Sequence, residues 1–428
     1  MGALHTVGSS AKQTTSGVKG RHTMRSGNIS SRRRQRATLL TGLLLIVILG
    51  EISKLLGSWN AVNASITITP SPIITVVARV HPIVGYATFE SSGQVDVQVT
   101  QGINDELQLD LHQIPNPDPG TAYYGWLLPD RGKALVQPVL LGRLMVKHAA
   151  IHVHYGGDQQ HTDLLLNTSR LLVTEENAAV PPHTPSLNPH RWRYYGEIAQ
   201  RPNSAESGNH ISVLDHIRLL LSGGSPMPLP GGLRLWFLLE TRNLLEWATA
   251  ARGSILPEAP PYLRIDLVHM LDELDGSAGV SQDVPVGTPL YIDPQLAQVP
   301  LLPLQSGQQP PDYITQIEMQ LAALAQSPGA TGAQQQIAVH ITADLKLVAD
   351  ALGRVRESAR QLLLLSDAQL AQPAALSSLD DLVEETNTAY AGLLNPVTGV
   401  REGGSVYIAD QLERLATIVV LGCTPCHI

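Results

Sequence analysis

The period of the apolar residues changes near position 200, and this change limits the folds open to the chain. From Ser65, the segments SITITP, IITVVARV, QVDVQVTQ, ELQLDLHQI, AYYGWLLP, AAIHVHYG and RLLVTEE are short alternating or β-branched runs parted by Pro, Gly, Asn or Asp. Alternation sends successive side chains to opposite faces, so these runs predict an antiparallel β-sandwich over residues 65–200, with a last strand near Trp192. PNPDPG, at 115–120, should be a loop, because Pro brings no donor to a central strand.

Beyond position 205 the spacing becomes helical. HISVLDHIRLLLSGG, LRLWFLLETRNLLEWATAARGS and YLRIDLVHMLDELDG predict three helices in a middle region, 205–305, that ends in a Pro-punctuated extended stretch. The acids Asp272, Glu273 and Asp275 read there as a solvated helix end. From 311 to 422, four amphipathic segments end in SVYIADQLERLATIVVL, and their short connections predict an up-down four-helix bundle. The expected fold class is multidomain α+β, and 428 residues suffice for several cores.

The amino-terminal end predicts location. Residues 1–36 hold eight Lys or Arg and no acid, which suits a disordered basic tail. Ala37–Gly50 is uncharged but as a helix only ~21 Å long, short of a ~30 Å hydrocarbon core. Extended through Glu51 and Lys54 to Trp59 it reaches ~34 Å, which predicts a transmembrane anchor at 37–59. Arg32, Arg33, Arg34 and Arg36 would keep the tail cytoplasmic and the body outside, making a single-pass protein of the cell membrane. A cleaved leader, cut before Ser65, is the alternative. Without the tail the chain has 21 basic against 37 acidic residues, which argues against nucleic acid as a partner.

GQVDVQVTQG, LHQIPNPDPGTAYYGWLLPD, VLLGRL and LLVTEENAAVPPHTPS together resemble the extracytoplasmic domain of anti-sigma-K factors, over about residues 83–186. Tyr123 or Tyr124, Trp126, Leu127, Leu141, Gly142, Val173, Thr174 and Glu175 carry the resemblance. It implies a packed outer domain with a regulatory or protein-binding role, although the 36 residues before the apolar run lack that family's helical sigma-binding domain.

Two further groups suggest chemistry. His148, His152, His154 and His161 cluster in sequence, and alternation places His152 and His154 on one strand face, where a third imidazole would complete a zinc or copper site. No acid or thiol stands at metal-motif spacing beside them, so a solvated polar face is the competing reading. The chain ends GCTPCHI: Cys423, Cys426 and His427 form C-x-x-C-H, the attachment sequence of c-type haem, and resemble the motif of four-helix c-type cytochromes. Met319 or His340 would be the distal haem ligand. The competing reading is an exposed tail, disposable after Leu421, whose thiols are free or form a small-loop disulfide. Walker, dinucleotide-binding, HExxH and GxSxG motifs are absent. These features predict a membrane-anchored, non-enzymatic protein with a protein partner in the cell envelope; the alternative is an extracytoplasmic c-type electron carrier.

Overall fold

The computed structural model describes residues 81–93, 101–133, 135–203, 211–223, 231–254, 260–292, 298–304 and 311–423. The tail at 1–36, the anchor at 37–59 and the runs SITITP and IITVVARV fall outside them. Seven strands come first: β1 (Ile83–Glu90), β2 (Glu106–His112), β3 (Thr121–Pro129), β4 (Val139–Leu144), β5 (Ala150–Tyr155), β6 (Thr168–Asn177) and β7 (Trp192–Glu197). Helices α1 (Val213–Leu221), α2 (Gly232–Gly253), α3 (Pro260–Asp275), α4 (Tyr313–Gln326), α5 (Gly332–Leu364) and α6 (Pro373–Ala391) follow. The hairpin β8 (Leu393–Leu394) and β9 (Arg401–Glu402), helix α7 (Ser405–Glu413) and strand β10 (Thr417–Gly422) complete the chain.

The strands do not make a sandwich. They form one eight-stranded antiparallel sheet in the order β4-β3-β6-β7-β10-β1-β2-β5, and its edges β4 and β5 approach each other, so the sheet nearly closes into a barrel. The strand that joins its two halves is β10. The last 17 residues of the expected fourth bundle helix instead split into a short helix, a 3₁₀ turn at Arg414–Ala416 and this strand. TIVVL is β-branched, and its alternate residues Ile418 and Val420 are fully buried in the barrel. Gly196 lets the strand come close, since a Cβ there would lie 2.4 Å from the Val419 carbonyl oxygen.

Among the described residues a single apolar cluster runs from the barrel interior (Phe89, Leu107, Leu171) into the helices (Ile217, Phe237, Leu345). Arg218 on α1 forks onto Asp130 at the end of β3, at 2.7 and 2.8 Å, and donates to the Leu165 carbonyl. α1 begins with a capping box between Ser212 and Asp215, which satisfies the first free amides of the helix.

Among the described residues no helix is long and apolar enough to cross a membrane. The single-pass membrane architecture and the cell-membrane location are therefore corrected: among the described residues no helix can serve as a span. Physically, the uncharged run reached spanning length only by taking in Glu51 and Lys54.

The α3 acids are also placed differently from expectation. Asp272, Glu273 and Asp275 are buried. Asp275 lies 2.7 Å from the Arg356 guanidinium, and burial, aided by neighbouring Asp283, pushes its carboxyl up to about 7 against the pull of that arginine. Arg356 also reaches the Leu302 and Pro303 carbonyls, so this pair ties α3 and the following turn to α5.

Trp126 is fully buried, but outside the barrel interior. It packs with Ala122, Tyr124, Leu128 and Leu172 in a second apolar cluster on the other face of β3 and β6, and its Nε1 donates to Thr174 Oγ1 at 3.0 Å. Trp126→Ala should cost ~3–5 kcal/mol, read as a lower denaturation midpoint. A variant with an unchanged midpoint would show that this outer cluster contributes little.

Candidate functional site

At one mouth of the barrel, the PNPDPG loop, the start of β3, the end of β6 and strand β7 surround two adjoining hollows of about 330 and 360 Å³. They share Asp118, Glu175 and Arg193. Glu175, 6% exposed, accepts from the Asp118 amide at 2.8 Å, from the Thr121 hydroxyl and from Arg193 Nε at 2.7 Å. Burial alone would raise its carboxyl, but these three donors outweigh burial and hold it below the usual range. The next residue, Glu176, accepts from Arg191 Nη1 at 2.6 Å.

Tyr123 and Tyr194 meet edge to face, with centroids 6.1 Å apart. Burial raises both phenols above their ordinary value, and for Tyr123 the charges of Tyr194 and Glu175 add to it. Near neutral pH Glu175 is thus held as a carboxylate and both phenols stay neutral. A larger hollow of about 630 Å³ lies beside Arg131, Glu197, Gln200 and Pro328. There Arg131 forks onto half-buried Glu197 at 3.0 and 3.1 Å, and the Tyr195 hydroxyl donates to the same carboxylate at 2.6 Å.

The 360 Å³ hollow borders the carboxyl-terminal cysteine motif. Cys423 lines the mouth, its amide donates to the Arg193 carbonyl at 2.9 Å, and it is disulfide-bonded in a chain whose only other cysteine is Cys426. Cys426 and His427 lie outside the described residues. Cys423 follows a strand rather than the bundle helix expected before the motif. Met319 is exposed on α4 and His340 on α5.

His152 and His154 do share the outward face of β5. His152 Nδ1 lies 2.7 Å from Asp110 and stacks edge-on with His112 at 5.6 Å; His154 Nε2 lies 3.4 Å from Glu106. His161 pairs instead with buried Asp105, at 2.7 Å. The carboxylates beside His152 and His154 come from β2, more than 40 residues away, and no local spacing announces them. At the mouth, no residue was singled out as a site from the sequence: Tyr123 and Glu175 entered only as positions of a packed domain, Asp118 only as part of the PNPDPG loop, and Arg193 and Tyr194 not at all.

Comparison with family models, curated proteins and solved structures finds no match, and so nothing there links the chain to anti-sigma-K factors or to c-type cytochromes.

Proposed function

We propose that the chain is a non-enzymatic recognition protein that engages a protein partner through the barrel-mouth cleft. The observation that carries this reading is the state of the charged groups there. Glu175, with three donors, is held as a carboxylate, and both tyrosines are held neutral, so the cleft presents a pattern of charge that is ordered before any partner binds. Tyr and Arg are the side chains that dominate protein interfaces, and a cleft that is ordered before binding loses little entropy when a partner docks. Arg191, about half exposed, and Asp118 give the rim both signs of charge.

Site-directed photo-crosslinking in cells that express the full chain tests this. A crosslinker at exposed Asn177, on the lip, should give a discrete protein adduct that weakens with Arg191→Glu; one at Asp350, on the solvent side of α5, should not. Equal adducts at both positions, or none at the lip, would overturn the cleft as a partner site.

A further inference from the structure

A second constellation lies outside the barrel mouth, on the outward face of the sheet half formed by β1, β2 and β5. Glu90 ends β1, Glu106 begins β2, and the register sets them directly opposite each other. His154 on β5 lies diagonally across from Glu106, because its own ladder partner is Gln108. One ligand atom from each of the three, two carboxylate oxygens and one imidazole nitrogen, can be chosen so that all lie within 4.8 Å of one another. We propose that Glu90, Glu106 and His154 form a binding site for a divalent first-row transition cation of the zinc class.

Electrostatics favours a cation here. Like charges placed directly opposite on neighbouring strands repel, and Glu90 faces Glu106 in that way. Glu413 also lies close to Glu90, with its charge offset by Arg234. The cation nearest to Glu413, Arg234, is committed to it at 2.7 Å and to the Ala409 carbonyl at 2.9 Å. A bound dication would turn the Glu90–Glu106 repulsion into attraction.

The ligand set selects the metal. One imidazole with two carboxylates suits zinc and its neighbours, whereas calcium and magnesium take oxygen donors alone. Bonds of ~2.0–2.2 Å would draw the three ligand atoms slightly closer than they stand, which surface side chains permit. Three protein ligands leave coordination positions for water, and because His154 and the glutamates are partly exposed, the ion would exchange with solvent. The neighbouring Asp110–His152 pair is a poorer candidate, since Asp110 already accepts from Gln108 Nε2 at 3.2 Å and the pair supplies only one carboxylate.

The test is a Zn²⁺ titration of the full, chelator-stripped chain by calorimetry, with far-UV circular dichroism as the check on folding. The wild type should take up a zinc equivalent that Glu106→Gln and His154→Asn each weaken at least ~10-fold, since even partners that only orient metal ligands matter that much. His152→Asn should leave this equivalent intact, and Zn²⁺ should raise the melting temperature of the wild type more than that of the two ligand variants. If either ligand variant misfolds, Glu90→Gln replaces it with the same expected loss. Zinc uptake that is absent, that ignores all three ligands, or that falls equally with His152→Asn would overturn the site. So would Ca²⁺ uptake of equal strength that survives His154→Asn, because the imidazole would then have no role.

Discussion

A chain cut after Ala416 should show no cooperative thermal transition. The cut removes β10, an interior strand whose ladders to β1 and β7 hold the two halves of the sheet together. Ile418 and Val420 leave the core with it, each worth ~1.5–3 kcal/mol of burial, and the barrel interior opens to water. Together with the lost strand hydrogen bonds, at ~1 kcal/mol each, this approaches the whole stability of an ordinary domain, ~5–15 kcal/mol. A cut after Leu421, which the sequence presented as harmless, should be intermediate. It removes the bonds from the Gly422 amide to the Pro82 carbonyl and from the Cys423 amide to the Arg193 carbonyl. Circular dichroism melts and gel filtration of the two truncations decide the matter, and a wild-type melt from the Ala416 truncation would show that β10 is dispensable.

Asp130→Ala should destabilise the fold by ~3–5 kcal/mol, because it strands a nearly buried guanidinium. Arg218 is 12% exposed and forks onto this carboxylate, which Ser169 and Lys133 also hold, so α1 and the end of β3 are joined at one point. Burial would raise the Asp130 carboxyl, but bonds from Arg218, Lys133 and Ser169 outweigh it and bring it down to about 2. A folded-state value below the unfolded one gives stability that is fully present above ~3.9 and is lost as the pH falls from there toward 2. Denaturant midpoints measured between pH 5 and 2 should therefore fall less steeply for Asp130→Asn than for the wild type. Parallel slopes would show that this carboxylate carries no part of the acid sensitivity.

The helices were legible because each carries its own signal. Helical spacing of Leu214, Ile217, Leu220 and Leu221 marks α1, and the burial pattern agrees. Strands β2, β3, β5 and β6 were legible from alternation for the same reason. β1 was overlooked: IVGYATFE alternates, but Gly85 and the small Ala87 thin the apolar signal. The α3 acids looked solvated because sequence shows their charge and hides Arg356, 81 positions beyond Asp275.

The sequence by itself determined the existence and period of most elements and the shared face of His152 and His154, all of which depend on residues a few positions apart. Only the tertiary structure decided that TIVVL is a strand, that it pairs with a partner over 300 residues earlier, and that barrel and helices share one core. It alone also brought Glu90, Glu106 and His154 together, and Glu175 to Arg193. The reason is that local propensity for a short apolar run is weak, so whether it coils or extends is settled by the hydrogen bonds and burial that a distant strand offers. Charged side chains likewise declare their sign in the sequence, whereas their partners are fixed by strand register.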